Sequence, residues 1–275
     1  SFGDDVVNTS PVQAAISYKP GIILPLLQTL YWHVQARDAA QNWSDWSTPR
    51  TVTILPPIPV APLLELPAAG AYRNDNTPEL SWNSVPYGAT YQIQVATTSA
   101  FTLPVVDEDE LMGEGVLTYT PATLGDGLYY WRARAYNITP APGPWSAVRS
   151  FTIDTQPPAA PLLSLPADNA VVRANPTFSW VPVAGSGANA YILQVATDSG
   201  FSSVVFTTDV LNVNGYTRSP ALTRNTYYWH VKARDAVGNW SGEHSTPEWS
   251  TTRTLHFHDP IPAAPVLVSP VNAYE

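Results

Sequence analysis

The chain has 275 residues, a net charge of −9 and no cysteine, which together exclude disulfides, thiolate metal sites and cysteine nucleophiles. With 13 Lys and Arg against 22 Asp and Glu, it offers no cationic cluster for nucleic acid or for an anionic bilayer surface. Its 44% hydrophobic content is enough for true cores, its length allows about two ordinary domains, and no apolar run reaches the roughly 18 residues of a membrane span.

The opening SFGDDVVNTS has no signal-peptide character, so any targeting segment of an exported protein is expected outside this sequence. SFGDDVV (1–7) matches SGFSSVV (199–205), and LYWHVQARD (30–38) is the first of three copies of one segment. PPIPVAP (56–62) then leads into VAPLLELP (60–67), LSW (80–82), YQIQVATTSAF (91–101) and the second copy, LYYWRARAYN (128–137). DTQPPAAP (154–161) leads into AAPLLSLP (159–166), FSW (178–180), YILQVATDSGF (191–201) and the third copy, YYWHVKARD (227–235). DPIPAAP (259–265) opens the series again and PVLVSPVNAYE (265–275) ends it. Trp32, Trp131 and Trp229 are spaced by 99 and 98 residues, so the chain is a tandem repeat of about a hundred residues.

Within a copy the period is two. Tyr227, Trp229, Val231 and Ala233 alternate with Tyr228, His230, Lys232 and Arg234, which predicts a strand with one wet face. In the third copy strands are expected near 160–165, 177–183, 190–197, 202–207, 215–219, 226–235 and 249–258, and no helix beyond a single turn. The fold class predicted is therefore all-β: tandem seven-stranded antiparallel sandwiches, joined by short Pro-rich linkers into a rod. The expected divisions are 1–55, the end of a repeat whose first strands are missing; 56–154 and 155–258, complete repeats; and 259–275, a linker and the first strand of a further repeat. Half a sandwich cannot bury its apolar face. The missing strands are expected from a longer array or from a neighbouring subunit.

The S-W pairs at Trp82 and Trp180, the Y-x-W-x-V-x-A strand and the DAxGNWS-like turn resemble fibronectin type III domains, most closely those in tandem arrays of bacterial cell-surface and secreted proteins. The resemblance implies core positions for Trp32, Trp82, Trp131, Trp180 and Trp229. It places Tyr129 and Tyr227 at the family's tyrosine corner, five residues after Leu124 and Leu222. In the first copy Leu30 stands at that position, and the insertion GIILPL (21–26) just before it is read as the compensation. The absence of cysteine also leans towards a bacterial surface protein or a cytosolic one rather than a secreted animal protein.

Candidates for chemistry are few. Asp107 and Asp109 in DEDE (107–110) could hold calcium, the one cofactor the sequence raises, or serve a glycosidase; a solvated edge strand that repels other sheets is the preferred reading. His256 and His258 share a strand face beside Asp259, where metal binding competes with a solvated strand end. Asp38 and Asp235 open the turns DAAQN and DAVGN, with Asn137 in their place in the second copy, and are expected to cap their own turns. His33 and His230 share an outward strand position that Arg132 fills in the second copy; such exchange argues against a reactive group. No nucleophile elbow, phosphate loop or zinc motif occurs, so no enzyme is expected.

NWSDWS (42–47) is the most pointed motif. Aligned on Arg50, Arg149 and Arg253, Trp46, Trp145 and Trp249 are equivalent, and Trp43 pairs with Trp240. The third copy parts the two steps with GEHSTPE (242–248), and the second copy has Pro142 at the first. W-S-x-W-S resembles the signature of cytokine receptors, which implies a structural ladder of tryptophans and cations, here Arg37, Arg134 and Arg234. Exposed aromatics that bind polysaccharide are the rival reading. Asn42 and Asn239 stand in sequons and Asn8 and Asn137 in similar contexts, and Asn42 and Asn239 are expected to shape turns.

The function expected is a structural or adhesive segment of a larger extracellular protein, such as a fibre, surface layer or adhesin stalk. Its partners would be neighbouring repeats or identical subunits in a filament, with neither nucleic acid nor membrane insertion. A polysaccharide-binding module and the spacer of a secreted glycoside hydrolase are the alternatives.

Overall fold

The computed structural model describes residues 10–12, 15, 17–111, 115–183, 187–242 and 248–266, and every regular element among them is a strand. SFGDDVV, residues 243–247 of the third-copy insert and the tail beyond residue 266 lie outside the described residues. The chain forms two compact units. The first comprises Ser1–Ala71, Pro78–Ala122 and Leu128–Phe151, and the second Tyr72–Thr77, Thr123–Gly127 and Thr152–Glu275.

The partial repeat contributes β1 (Thr29–Trp32) and β2 (Arg50–Thr53), an antiparallel pair. The next repeat contributes β3 (Leu64–Leu66), β4 (Ala71–Arg73), β5 (Leu80–Trp82), β6 (Thr90–Ala96), β7 (Val106–Leu111), β8 (Thr118–Tyr119), β9 (Gly127–Tyr136) and β10 (Arg149–Ile153). These lie in a three-stranded sheet, β3-β5-β8, and a five-stranded sheet, β4-β10-β9-β6-β7. The last repeat follows with β11 (Leu162–Leu165), β12 (Ala170–Val172), β13 (Thr177–Val181), β14 (Ala188–Ala196), β15 (Val204–Thr207), β16 (Gly215–Thr217), β17 (Asn225–Asp235) and β18 (Arg253–Phe257). Its sheets are β11-β13-β16 and β12-β18-β17-β14-β15. This strand order is that of a fibronectin type III-like sandwich.

Alternation builds the cores. On β9, Tyr129, Trp131, Ala133 and Ala135 are buried and the residues between them are not. Trp131 faces Val95 across the sheet, as Trp229 faces Val195 in the last repeat. There Phe178 meets Trp229 edge to face, with ring centroids 5.1 Å apart. Each large side chain withdrawn from water in this way contributes about 1.5–3 kcal/mol. Tyr227 donates its hydroxyl to the carbonyl of Thr223 at 2.9 Å, closing the corner that its spacing from Leu222 implied. Tyr129 is equally buried and stacks on Phe151.

Two expectations need correction. The seven strands foreseen in the last repeat are joined by an eighth, β12, which runs parallel to β18. The first strand changes sheets between Leu165 and Ala170, and the Arg253 guanidinium donates to the carbonyls of Leu163, Ser164 and Pro166 at the change. Arg149 serves Glu65 and Pro67 in the same way. Trp32, expected in a core, is 46% exposed, because among the described residues no second sheet covers β1 and β2.

Candidate functional site

The Trp-Ser steps solve a backbone problem first. β17 continues past its pairing with β18, leaving Val231 and Ala233 to find partners on that side. Ser250 gives its N–H to the Val231 carbonyl (2.9 Å), and its hydroxyl accepts the Val231 N–H (3.1 Å). Ser241 does the same for Ala233, at 2.8 and 3.1 Å. One serine thus supplies both halves of a ladder rung, which a strand would need its carbonyl to complete. Ser44 and Ser47 serve Ala36 and Val34, and Ser146 serves Ala133. The second repeat has Gly143 at the other step, where only its N–H reaches Ala135. A β-carbon at Gly143 would stand 2.4 Å from the carbonyl oxygen of Pro59, so the approach of the linker excludes serine there.

The tryptophans then fold over the sheet face. In the last repeat His230 lies between Phe201 and Trp249, with ring separations of 3.5 and 3.9 Å. Lys232 sits 4.9 Å from Trp249 and 5.1 Å from Trp240, and Arg234 lies 5.2 Å from Trp240. In the second repeat Arg132 stands 4.2 Å from both Phe101 and Trp145, and Arg134 4.5 Å from Trp145. The first has His33 stacked on Trp46 at 3.9 Å and Arg37 over Trp43 at 5.3 Å. Arg37 and Arg234 are equivalent in register, whereas Arg134 stands one rung earlier, at the position of Lys232. Phe101 and Phe201 were missed from sequence. Both take positive φ, 53° and 54°, in the turn after the strand, and their only signal is the shared S-x-F spacing.

His230 corrects a second expectation about this face. Read as outward, it is buried under Trp249 and Phe201, with Nε2 2.9 Å from Gln194 Oε1. Burial, reinforced by the Lys232 charge, pushes its pKa down to about 4, so the imidazole is neutral at pH 7. In the second repeat the same face carries a polar chain. Arg132 donates to Gln94 and Arg134 to Gln92, and the two glutamine amides donate to opposite oxygens of Asp107 at 2.9 and 2.7 Å. Asp107 is thus held on the edge strand β7 as an acceptor for glutamines. Asp109 is exposed on the same strand; His256 Nδ1 meets Thr226 Oγ1 at 3.1 Å, and the His258 N–H donates to Val172. Among the described residues no three His, Asp or Glu side chains converge as a metal cluster.

The second constellation is at the Pro-rich joints. Asp235 Oδ1 accepts the N–H groups of Val237, Gly238 and Asn239, and Asp235 Oδ2 accepts the Asn239 amide. Asn239, 2% exposed, also donates from Nδ2 to the carbonyl of Asp154 (2.8 Å) and lies 3.5 Å from that of Gln156. The same linker is held from its other side, since Asp126 accepts the Thr155 N–H and hydroxyl and the Gln156 amide. In the second repeat one residue does the work of two. Asn137 Oδ1 accepts from Thr139 and Ala141, while Nδ2 donates to the carbonyls of Pro56 and Pro57 at 3.2 and 3.1 Å. The nitrogen that a glycan would occupy at Asn137 or Asn239 is therefore buried and engaged. At Asn42 the turn is exposed, and Asn8 lies outside the described residues.

No protein-family model and no curated protein matches the chain. Among solved structures it is similar to the fibronectin(III)-like modules of Clostridium thermocellum CbhA, at 12% identity and a TM-score of 0.42, over 72% of this chain and 93% of that one. The FN1–FN3 domains of chicken CNTN1 match at 13% and 0.43, over 83% and 78% of the two chains. A run of titin domains matches at 14% and 0.43, over 82% and 73%. By its own strand order the protein is an all-β chain of fibronectin type III-like repeats.

Proposed function

We propose that the chain is a non-catalytic structural or adhesive segment of a larger extracellular protein, of the kind displayed on bacterial surfaces, in which the repeats act as spacers. The observation that carries this is the joint at residues 154–156, hydrogen-bonded to Asp126 on one side and to Asn239 on the other. A linker ordered from both sides transmits position from one repeat to the next, whereas a flexible one does not. The exchange of His33, Arg132 and His230 at one register position fits a scaffold, since stacking accepts either planar group and chemistry would not. Stiff proline joints would extend such an array into the stalk of a fibre, a surface layer or an adhesin. Small-angle X-ray scattering tests this: a single narrow distribution of dimensions, broadened by Asn137→Ala with Asn239→Ala, is expected. A broad ensemble in the unaltered chain would contradict it.

A second reading, polysaccharide binding, is favoured by Trp43 and Trp46, which are 50% and 53% exposed. Retention on a glycan array that disappears with both tryptophans replaced by alanine would establish it.

A further inference from the structure

The five-stranded sheet of the last repeat ends on β15, which among the described residues is bonded to β14 alone. It belongs to a complete repeat, so its openness does not come from a missing strand. Val204, Val205 and Thr207 are exposed on it. Thr208 gives its N–H inward to the Leu193 carbonyl (3.0 Å) and accepts the Leu193 N–H on its hydroxyl (3.1 Å). By alternation, the N–H and carbonyl of Thr207 point away from β14. Such an edge is a template for another strand.

The other edges of the two complete repeats are blunted. β7 is the equivalent of β15, since Asp107 lies opposite Gln94 as Thr207 lies opposite Gln194. It has Pro104 at the place of Val204, and its acidic run Asp107–Glu110 replaces Thr207, Thr208, Asp209 and Val210. β3 is bounded by Pro62 and Pro67, and β11 by Pro161 and Pro166. β4, β8, β12 and β16 are no longer than three residues. Proline, charge and shortness are what keep sheet edges apart. The run Val-Val-Phe-Thr-Thr at 204–208 has neither proline nor charge, consists of strand-favouring residues, and is followed by renewed pairing at Leu211.

We propose that β15 pairs antiparallel with β15 of a second copy across a two-fold axis, making one continuous sheet of the two. The register shift at Val205 lies at the start of the strand, so the pairing centres on Thr207. Each Thr207 then gives its N–H to the carbonyl of the other. Charge selects this occupant. Two copies of net charge −9 repel, and meeting through β7 would set four carboxylates against four. Through β15 only Asp209 is brought near, and the antiparallel register sets it opposite Val205 rather than its own copy. The contact is isologous, so it closes as a side-by-side pair of molecules.

The chain has no cysteine, so a single introduced thiol reports the contact. Facing residues of a hydrogen-bonded pair have Cα atoms about 5.5 Å apart, within disulfide reach. Thr207→Cys should give a disulfide-linked homodimer under mild oxidation. Asp107→Cys, also exposed and at the equivalent place on β7, should give at least about tenfold less. In sedimentation of the cysteine-free chain, Val204→Pro with Thr207→Asp should weaken self-association about tenfold, the loss of two backbone hydrogen bonds. The second repeat carries both residues at these positions, and Gln94 donates to Asp107 there as Gln194 does to Thr207. The double variant should therefore keep its melting temperature. A chain that stays monomeric at every concentration overturns the proposal. So does association that survives the double variant, or equal cross-linking by the two cysteine variants.

Discussion

At the scale of single residues, His230 shows how neighbours decide a side chain's chemistry. Stacked between two rings and beside Lys232, it has a pKa of about 4 against an ordinary 6.5. Between those values the unfolded chain binds a proton that the folded repeat does not, so stability rises with pH across the window and is lost as pH falls through it. Acidification from pH 7 to pH 4 should therefore cost the third repeat on the order of 2 kcal/mol after solvent screening, read as a lowered melting temperature. His230→Arg, which installs the group that Arg132 provides in the second repeat, should remove that slope. An unchanged slope would show that other groups titrate. Asn239 is a second case in which one atom has several duties: its amide nitrogen serves the Asp235 carboxylate and the linker together.

At the scale of elements, the Trp-Ser step is a way to end a ladder while turning a ring across the sheet. Ser241→Ala or Ser250→Ala leaves a buried N–H without its acceptor and should cost about 1–3 kcal/mol. For a domain of this size each kcal/mol lowers the melting temperature by about 4–8 °C. Ser44→Ala, on an exposed rung where water can substitute, should cost less than about 0.5 kcal/mol. Equal costs at the two places would refute the rung argument. Gly143→Ala places a β-carbon 2.4 Å from the Pro59 oxygen and should displace the linker, with amide exchange rising at Thr139 and Ala141; unchanged exchange would mean the linker has room. The strands themselves were legible, because period-two alternation with tryptophan at fixed spacing leaves little else for β9 or β17 to be. β12 was not: three residues, AVV, carry no alternation, and their partner β18 lies about 85 residues on. The tryptophans and their cations could be named from spacing. Phe101, Gln92 and Gln94 could not, since what joins them to Arg132 and Arg134 is cross-strand register. The role of Asn239 was hidden for a similar reason, its acceptors lying more than 80 residues away at Asp154 and Gln156.

At the scale of the molecule, the joints are hydrogen-bonded parts of the fold. Asp126 and Asn239 converge on three linker residues, and Asn137 does the same at Pro56 and Pro57. Proline content alone does not order a linker; hydrogen bonds of Asp126, Asn239 and Asn137 with linker residues do. The direct measurement is amide hydrogen exchange at Thr155 in the intact chain, whose N–H is held by Asp126. Slow exchange is expected in the unaltered protein, and faster exchange after Asp126→Ala with both repeats still folded. Fast exchange at Thr155 in the unaltered protein, or slow exchange that Asp126→Ala leaves intact, would contradict an ordered joint.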